Sequence, residues 1–523
     1  MKKIVGYLTL LLLVVLTSCK KLVEEKPLSD GTLDQFFRTS FDAAAAMAGM
    51  YGQFQQTMIG ESQFNNRITF WGDARSDNME RQKQYSNNST SEIHFNSLSP
   101  NNNFADWGPL YMVIGRANLN IAKFPDINKY STNPNSKDYL PDATLRSYLA
   151  QCYAMRAFCY FYILRVWGDA PIRTTPFLSL DDNPQAPREP KTKLREQIIK
   201  DLQQAYDLTA KNATPTVWYV GEGAIAAMMA DVYMWKSHDN EIMPDYNNAI
   251  VWIKNVFKAK GVTGKVYSTT GQSTDLESTA NWKNIFTNPA GSIETIWTIH
   301  WDVTANGCPC MAGISSAVNN TPMRTAFEVF NTWAKSTTDV RGKQTIDATK
   351  TDNWDRLLKW YGPSGFTDAT KTYLTSTQSA AAVGTDKNVY YPVYRLADVV
   401  LLYAEALNKT GDRTTALKYL NFVHQRATLP AYTAGQLNTE TAMEDAILDE
   451  RRWELFAEGK RWFDLVRTDH VIQIMDPLTT TRQLAEGASP TGWGTDKRRY
   501  LWPLHRNVLN ANPNLVQNKP YSD

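Results

Sequence analysis

Residues Glu450 to Arg467 (ERRWELFAEGKRWFDLVR) concentrate the side chains most able to do chemistry: carboxylates, arginines and tryptophans. Read as one helix, Glu450, Glu454 and Glu458 recur every four residues, Arg461 follows on the same face, and Asp464 lies at its edge. Trp453, Phe456 and Phe463 take a neighbouring face. Two of these carboxylates could act as general acid and base, as in glycoside hydrolysis, but such pairs confront each other across a cleft. Acids stacked on one stripe instead need arginines, either Arg451, Arg461 or Arg467 or ones from another helix. The segment is therefore expected to be an ion network belonging to the architecture.

Nothing else in the chain supplies an alternative catalyst. There is no G-x-S-x-G and no H-E-x-x-H. The histidines, among them His94, His300 and His424, are scattered without metal-site spacing, and Cys308-Pro309-Cys310 offers too few ligands for zinc. Those two cysteines read as a local disulfide or as free thiols, while Cys152 and Cys159 sit in an aromatic helical stretch where small hydrophobes belong. The expectation is a protein with no metal, no cofactor and no catalysis.

The elements that would carry these residues are mainly helical. The 523 residues are 43% hydrophobic, enough for a large core, and 55 basic against 53 acidic residues leave a net charge of +2. No global field favours nucleic acid or an anionic membrane. Leu149 to Val166 is apolar almost all round and should be a buried helix, stopped at Trp167-Gly168-Asp169 and Pro171. Leu194 to Leu208 is amphipathic. Two helical hairpins share one grammar: Gly223 to Trp235 with Tyr246 to Phe257, and Leu396 to Leu407 with Thr414 to Arg426. Ala249, Ile253 and Val256 match the spacing of Ala416, Leu420 and Val423, as in divergent tetratricopeptide repeats. Between the hairpins, residues 258–392 are rich in turn formers, with one strand-like run from Glu294 to Trp301; residues 60–105 are similarly polar.

The N-terminus reads as a signal peptide, residues 1–18, whose apolar run from Ile4 to Leu16 is shorter than the roughly 20 residues that cross a bilayer. Leu16-Thr17-Ser18-Cys19 resembles a bacterial lipobox, which makes Cys19 the acylated first residue of the mature chain and residues 19–30 a lipidated leader.

With these parts in order, the chain resembles the SusD/RagB family, the surface lipoproteins with which Bacteroidota capture nutrients. The resemblance rests on ERRWELFAEGKRWFDLVR; on Phe37 to Gln53 with Tyr51-Gly52; and on Trp107-Gly108-Pro109-Leu110-Tyr111 followed by Ala117-Asn118. It continues through Met155-Arg156-Ala157-Phe158 to Trp167-Gly168-Asp169-Ala170-Pro171, Tyr394-Arg395-Leu396-Ala397-Asp398 with Ala404-Glu405-Ala406 and Gly411-Asp412, and Gln425-Arg426-Ala427. Leu501-Trp502-Pro503-Leu504, Asn512-Pro513 and Gln517-Asn518 close the series. What it implies is a mainly α fold: an α-α superhelix of about four tetratricopeptide-like helix pairs with an irregular, loop-rich subdomain. Residues 31–523 would form one domain, its helical scaffold near 31–257 and 393–523 and its loop-rich insertion near 258–392. It also implies outer-membrane attachment facing the cell exterior, a SusC-like TonB-dependent transporter as partner, and capture of glycans without cleavage. Peptide cargo, or a tetratricopeptide-type protein adaptor, is the alternative.

A sugar ring offers apolar C–H faces to aromatic side chains and a rim of hydroxyls to Asn, Asp, Gln or Arg. Aromatics in the irregular segments are the candidates: Trp71, Tyr85, Trp301, Trp354, Trp360 and Tyr361, with Asp73, Arg75, Asn78 and Asn306 as polar partners. Trp297, inside the strand-like run, and Trp235, Trp252, Trp453 and Trp462, in helical segments, are expected to pack in the core.

Overall fold

A computed structural model describes residues 36–60, 66–179, 182–267, 269–270, 275–302, 322–348, 357–360 and 388–522. The leader and Cys19, together with Asn306, Cys308, Cys310, Trp354 and Tyr361, lie outside them.

Helix α1, Ser40–Met58, starts at a capping box: Thr39 Oγ1 accepts from the Asp42 backbone, and the Asp42 carboxylate accepts from the Thr39 backbone at 2.8 Å. A helical turn at Arg67–Thr69 tightens into a π-helical turn at Phe70–Ala74, and strand β1, Met79–Arg81, follows. Then come α2 (Asn88–Phe95), α3 (Gly108–Lys123) and the long α4 (Asp142–Trp167). Seventeen of the 26 residues of α4 are buried, as its apolar circumference requires. The helix stops at Gly168, whose φ of +81° is open to glycine and whose missing Cβ leaves room for Leu501. Helices α5 (Lys191–Leu208), α6 (Glu222–Met234) and α7 (Tyr246–Lys258) complete the first half.

The second half holds β2 (Thr295–Asp302), β3 (Met323–Thr325), α8 (Val340–Thr345) and β4 (Asn388–Arg395), which runs directly into α9 (Leu396–Lys409). After α10 (Arg413–Arg426) come α11 (Glu440–Glu454), α12 (Arg461–Arg467), α13 (Val471–Ala485) and α14 (Arg506–Ala511).

Packing follows chain order. The pairs α1/α3, α4/α5, α6/α7 and α9/α10 stack through α3 on α4, α5 on α6 and α7 on α9. That sequence of neighbours is the α-α superhelix of four helix pairs, each burying a face it could not bury alone. The hairpin stripes do this work: Ala249, Ile253, Val256, Ala416, Leu420 and Val423 are all fully buried. Among the described residues two antiparallel ribbons form, β1 with β3 and β2 with β4.

One expectation is corrected here. Glu450 to Arg467 is not a single helix, because α11 ends at Glu454 and α12 begins at Arg461. Ala457 and Gly459 adopt φ of 63° and 74°, which breaks the helix between them. Gly459 lies flat against Gly72 of the π-helical turn, where a Cβ would sit 2.0 Å from the Gly459 carbonyl oxygen. Only glycine permits that approach.

Candidate ligand-binding site

The β2–β4 ribbon sets the geometry. Its register places Ile299 opposite Tyr391, His300 opposite Tyr390 and Trp301 opposite Val389, so the faces alternate residue by residue. Ile299, Trp301, Val389 and Tyr391 are buried, whereas His300 and Tyr390 are only half-buried. The segment before α6 brings a third ring to that open face. Thr298 N donates to Val217 O at 3.0 Å, which fixes the segment on the ribbon, and Val220 N donates to Tyr51 Oη at 3.1 Å, which ties its far end to α1.

Trp218 is thereby held over the ribbon. Its ring centroid lies 5.2 Å from His300 and 5.6 Å from Tyr390, and the latter two are 4.8 Å apart, with tilts of 30° to 34°. Tyr219 stands beside them, 48% exposed, edge-on to Tyr51 at 4.8 Å. His300 Nε2 donates to Asn388 Oδ1 at 2.8 Å, and Gln55 Nε2 donates to His300 O at 2.6 Å. Gln55, Trp218, Tyr219 and His300 border a cleft of about 260 Å³. Small-molecule pockets run from roughly 300 to 1,000 Å³, so this one suits part of a ligand whose remainder lies along the surface. The arrangement can stack on a flat apolar face and bond polar groups at its edge.

The residues that sequence reasoning had favoured lie elsewhere. Trp71, Asp73, Asn78, Trp301 and Trp360 are fully buried and Arg75 is 1% exposed, so none presents a surface to a ligand. The reason is that the polar stretch around residue 70 is wedged into the core rather than looped over it. Trp71 Nε1 donates to Phe104 O at 2.9 Å, and Trp301 Nε1 donates to Gln55 O at 3.1 Å. Trp360 stacks on Tyr391 at 5.9 Å with a 3° tilt. Asp73 Oδ1 accepts from Asn78 Nδ2 at 2.9 Å, its other oxygen accepts from Gly459 N, and burial pushes its carboxyl up to about 7. The Arg75 guanidinium is enclosed by Trp462, Trp493 and Trp502 at 4.5, 5.1 and 5.6 Å. Tyr85 is half-buried. Four of the five tryptophans expected in the core are there, Trp235, Trp252, Trp297 and Trp462, whereas Trp453 is only half-buried and stacks on Trp333.

Trp218, Tyr219, His300 and Tyr390 were not singled out from sequence as ligand contacts. Two signals pointed to them: Trp218-Tyr219 in a Pro- and Gly-flanked turn, and strand alternation that puts His300 on the face opposite Trp301.

Comparison with known proteins decides the family. Residues 299–521 match the model of the SusD family, and residues 24–234 match a SusD-like family described as starch-binding and associating with the outer membrane. The chain belongs to the SusD family. It is 28% identical to a SusD-like protein of Formosa agariphila, over 99% of this chain and 98% of that one. A SusD-superfamily crystal structure from Bacteroides vulgatus superposes with a TM-score of 0.71 at 18% identity, over 92% of this chain and 99% of that one. A laminarin-binding SusD-like protein superposes at 0.66 and 18% identity, over 92% and 100%.

In this SusD-family chain the acid-rich segment is an ion network, as expected, although most of its arginines come from outside the segment. Glu454 receives Arg395 Nη1 at 2.6 Å, Arg341 Nη1 at 2.9 Å and Arg426 Nη2. Arg341 Nη1 also reaches Glu450 at 2.6 Å, and His424 Nδ1 donates to the other Glu450 oxygen at 2.7 Å. Glu458 is held by Arg395 Nε at 2.8 Å and Lys359 Nζ at 2.5 Å. Burial alone would raise the Glu454 carboxyl, but Arg426, Arg395 and Arg341 together hold it well below the usual carboxylate range. The segment's own arginines turn away: Arg461 pairs with Asp77, Arg451 with Asp398 and Asp464, and Arg467 with Asp464 and Glu405. Carboxylates sealed and paired in this way hold elements together and do not meet substrate.

Proposed function

We propose that the protein is a cell-surface lipoprotein, anchored through Cys19, that captures oligo- or polysaccharide on the Trp218–His300–Tyr390 platform. It passes the glycan uncleaved to a SusC-like TonB-dependent transporter in the outer membrane. The observation that carries this reading is the platform itself: three rings of different origin, locked in place yet half open, beside amide and imidazole hydrogen-bonding groups. Stacking a sugar face there buries apolar area at about 25 cal/mol per Å². The starch-binding description of the matching family and the laminarin-binding relative support a glycan as the ligand. Residues 31–523 act as one mature domain. The test is a binding screen of residues 20–523 against soluble polysaccharides, their oligosaccharides and peptide mixtures, with Trp218→Ala and Tyr390→Ala beside the parent. Saturable glycan binding that weakens in both variants is expected. Peptide binding with silence toward sugars would replace glycan by peptide cargo.

A further inference from the structure

A second cleft, of about 290 Å³, lies between the α10–α11 turn, the end of α11 and residues 332–339, sharing no residue with the platform. Its walls are aromatic and braced. Tyr432 stacks on His424 at 4.4 Å and 29°, and its backbone is clamped on both sides by the Asn421 amide, at 2.8 Å each way. Trp453 stacks on Trp333 at 5.3 Å, and Trp333 Nε1 donates to Asp339 Oδ2 at 3.0 Å. Ser336 and Thr338 add hydroxyls at the rim. Two lining carboxylates, Asp339 and Glu450, are already consumed by Arg341. The third is not: exposed Asp449 has no hydrogen bond or ion pair among the described residues.

We propose that this cleft is a second glycan-binding site, in which a sugar ring lies against Tyr432 and the Trp453 edge while neighbouring hydroxyls donate to the Asp449 carboxylate. A carboxylate accepts two such O–H bonds at once, and bonds to a charged acceptor are about twice as strong as neutral ones. Neutral hydroxyl donors suit the cleft better than a cation, because Arg452 and Arg461, both paired to Asp77, stand close enough to act on Asp449. The proposal rests on reading the chain as a glycan binder. It adds that a polysaccharide is held at two points, the second contact made at the raised effective concentration that tethering provides.

The experiment uses residues 20–523 with soluble polysaccharides headed by starch and laminarin, each beside its trisaccharide. Parent, Asp449→Ala, Tyr432→Ala and Trp218→Ala proteins are compared by calorimetry, and melting temperatures show that each variant is folded. Asp449→Ala, at an exposed position, is expected to keep its melting temperature, lose about tenfold or more in polysaccharide affinity, and leave trisaccharide binding at the platform within about twofold. Tyr432→Ala should do the same wherever it folds. Polysaccharide affinity equal to the parent in Asp449→Ala would overturn the second site and leave the platform standing. No glycan bound by the parent protein would overturn both.

Discussion

The two faces of the β2–β4 ribbon send similar side chains to opposite fates. On one, Trp301 and Tyr391 are sealed beneath Trp360, and their burial continues into the Gly72–Gly459 contact and the ion network. On the other, His300 and Tyr390 meet Trp218 and stay half open. Residue type does not distinguish them, since both faces carry tyrosine and tryptophan contacts. Strand parity does, because adjacent residues point to opposite sides of a strand. Aromatic content in a loop-rich region is therefore a poor guide to a binding surface unless the face is known.

That contrast can be broken at several points. The largest effect belongs to the sealed side. Glu454→Ala would take one shared buried carboxylate from Arg341, Arg395 and Arg426, leaving a net excess of buried positive charge, and is expected to cost about 3–5 kcal/mol in chemical denaturation. A Glu454→Ala protein of parental stability that had lost ligand would instead make the segment functional. Trp301→Ala should likewise cost about 3–5 kcal/mol through the cavity it leaves, lowering yield whether or not ligand is present. Trp218→Ala should do the reverse, leaving the melting temperature near the parent and weakening glycan about tenfold, or about 1.4 kcal/mol. Equal effects of the two tryptophan variants on binding would erase the distinction between the faces.

The sealed side can also be probed by a pH slope. Asp73 has its folded-state carboxyl raised from 3.8 to about 7, so the folded chain holds a proton that the unfolded chain releases. Stability from this group is then complete below about pH 4 and is lost as pH rises to about 7, by at most about 1.4 kcal/mol per pH unit. Asp73→Asn should flatten that part of the stability profile, as measured by urea unfolding at several pH values. An unchanged slope would mean that Asp73 stays ionised throughout.

Local period made the scaffold legible. The spacing of Ala249, Ile253 and Val256, and of Ala416, Leu420 and Val423, depends on neighbours three and four residues away, and each of those helices begins and ends within two residues of its expected position. The ion network was legible in kind but not in partners, because Arg341, Arg395 and Arg426 reach Glu454 from positions 113, 59 and 28 residues distant. The break at Ala457 and Gly459 was missed for the same reason, since its cause is Gly72 on the far side of the chain. Trp71, Asp73, Arg75 and Asn78 were expected at the surface because polarity around Trp71 was read as exposure. Those polar groups instead satisfy one another inside the core, as Asp73 and Asn78 do.

The contact of the π-helical turn with Gly459 joins positions 386 residues apart, from Asp73 to Gly459. A link of that span pays its loop-closure entropy before it gains any contact, and such topologies fold slowly. The two family matches, ending at 234 and beginning at 299, each carry one side of this joint. Neither half should fold when produced alone, and during synthesis the joint can close only after residue 459 has emerged.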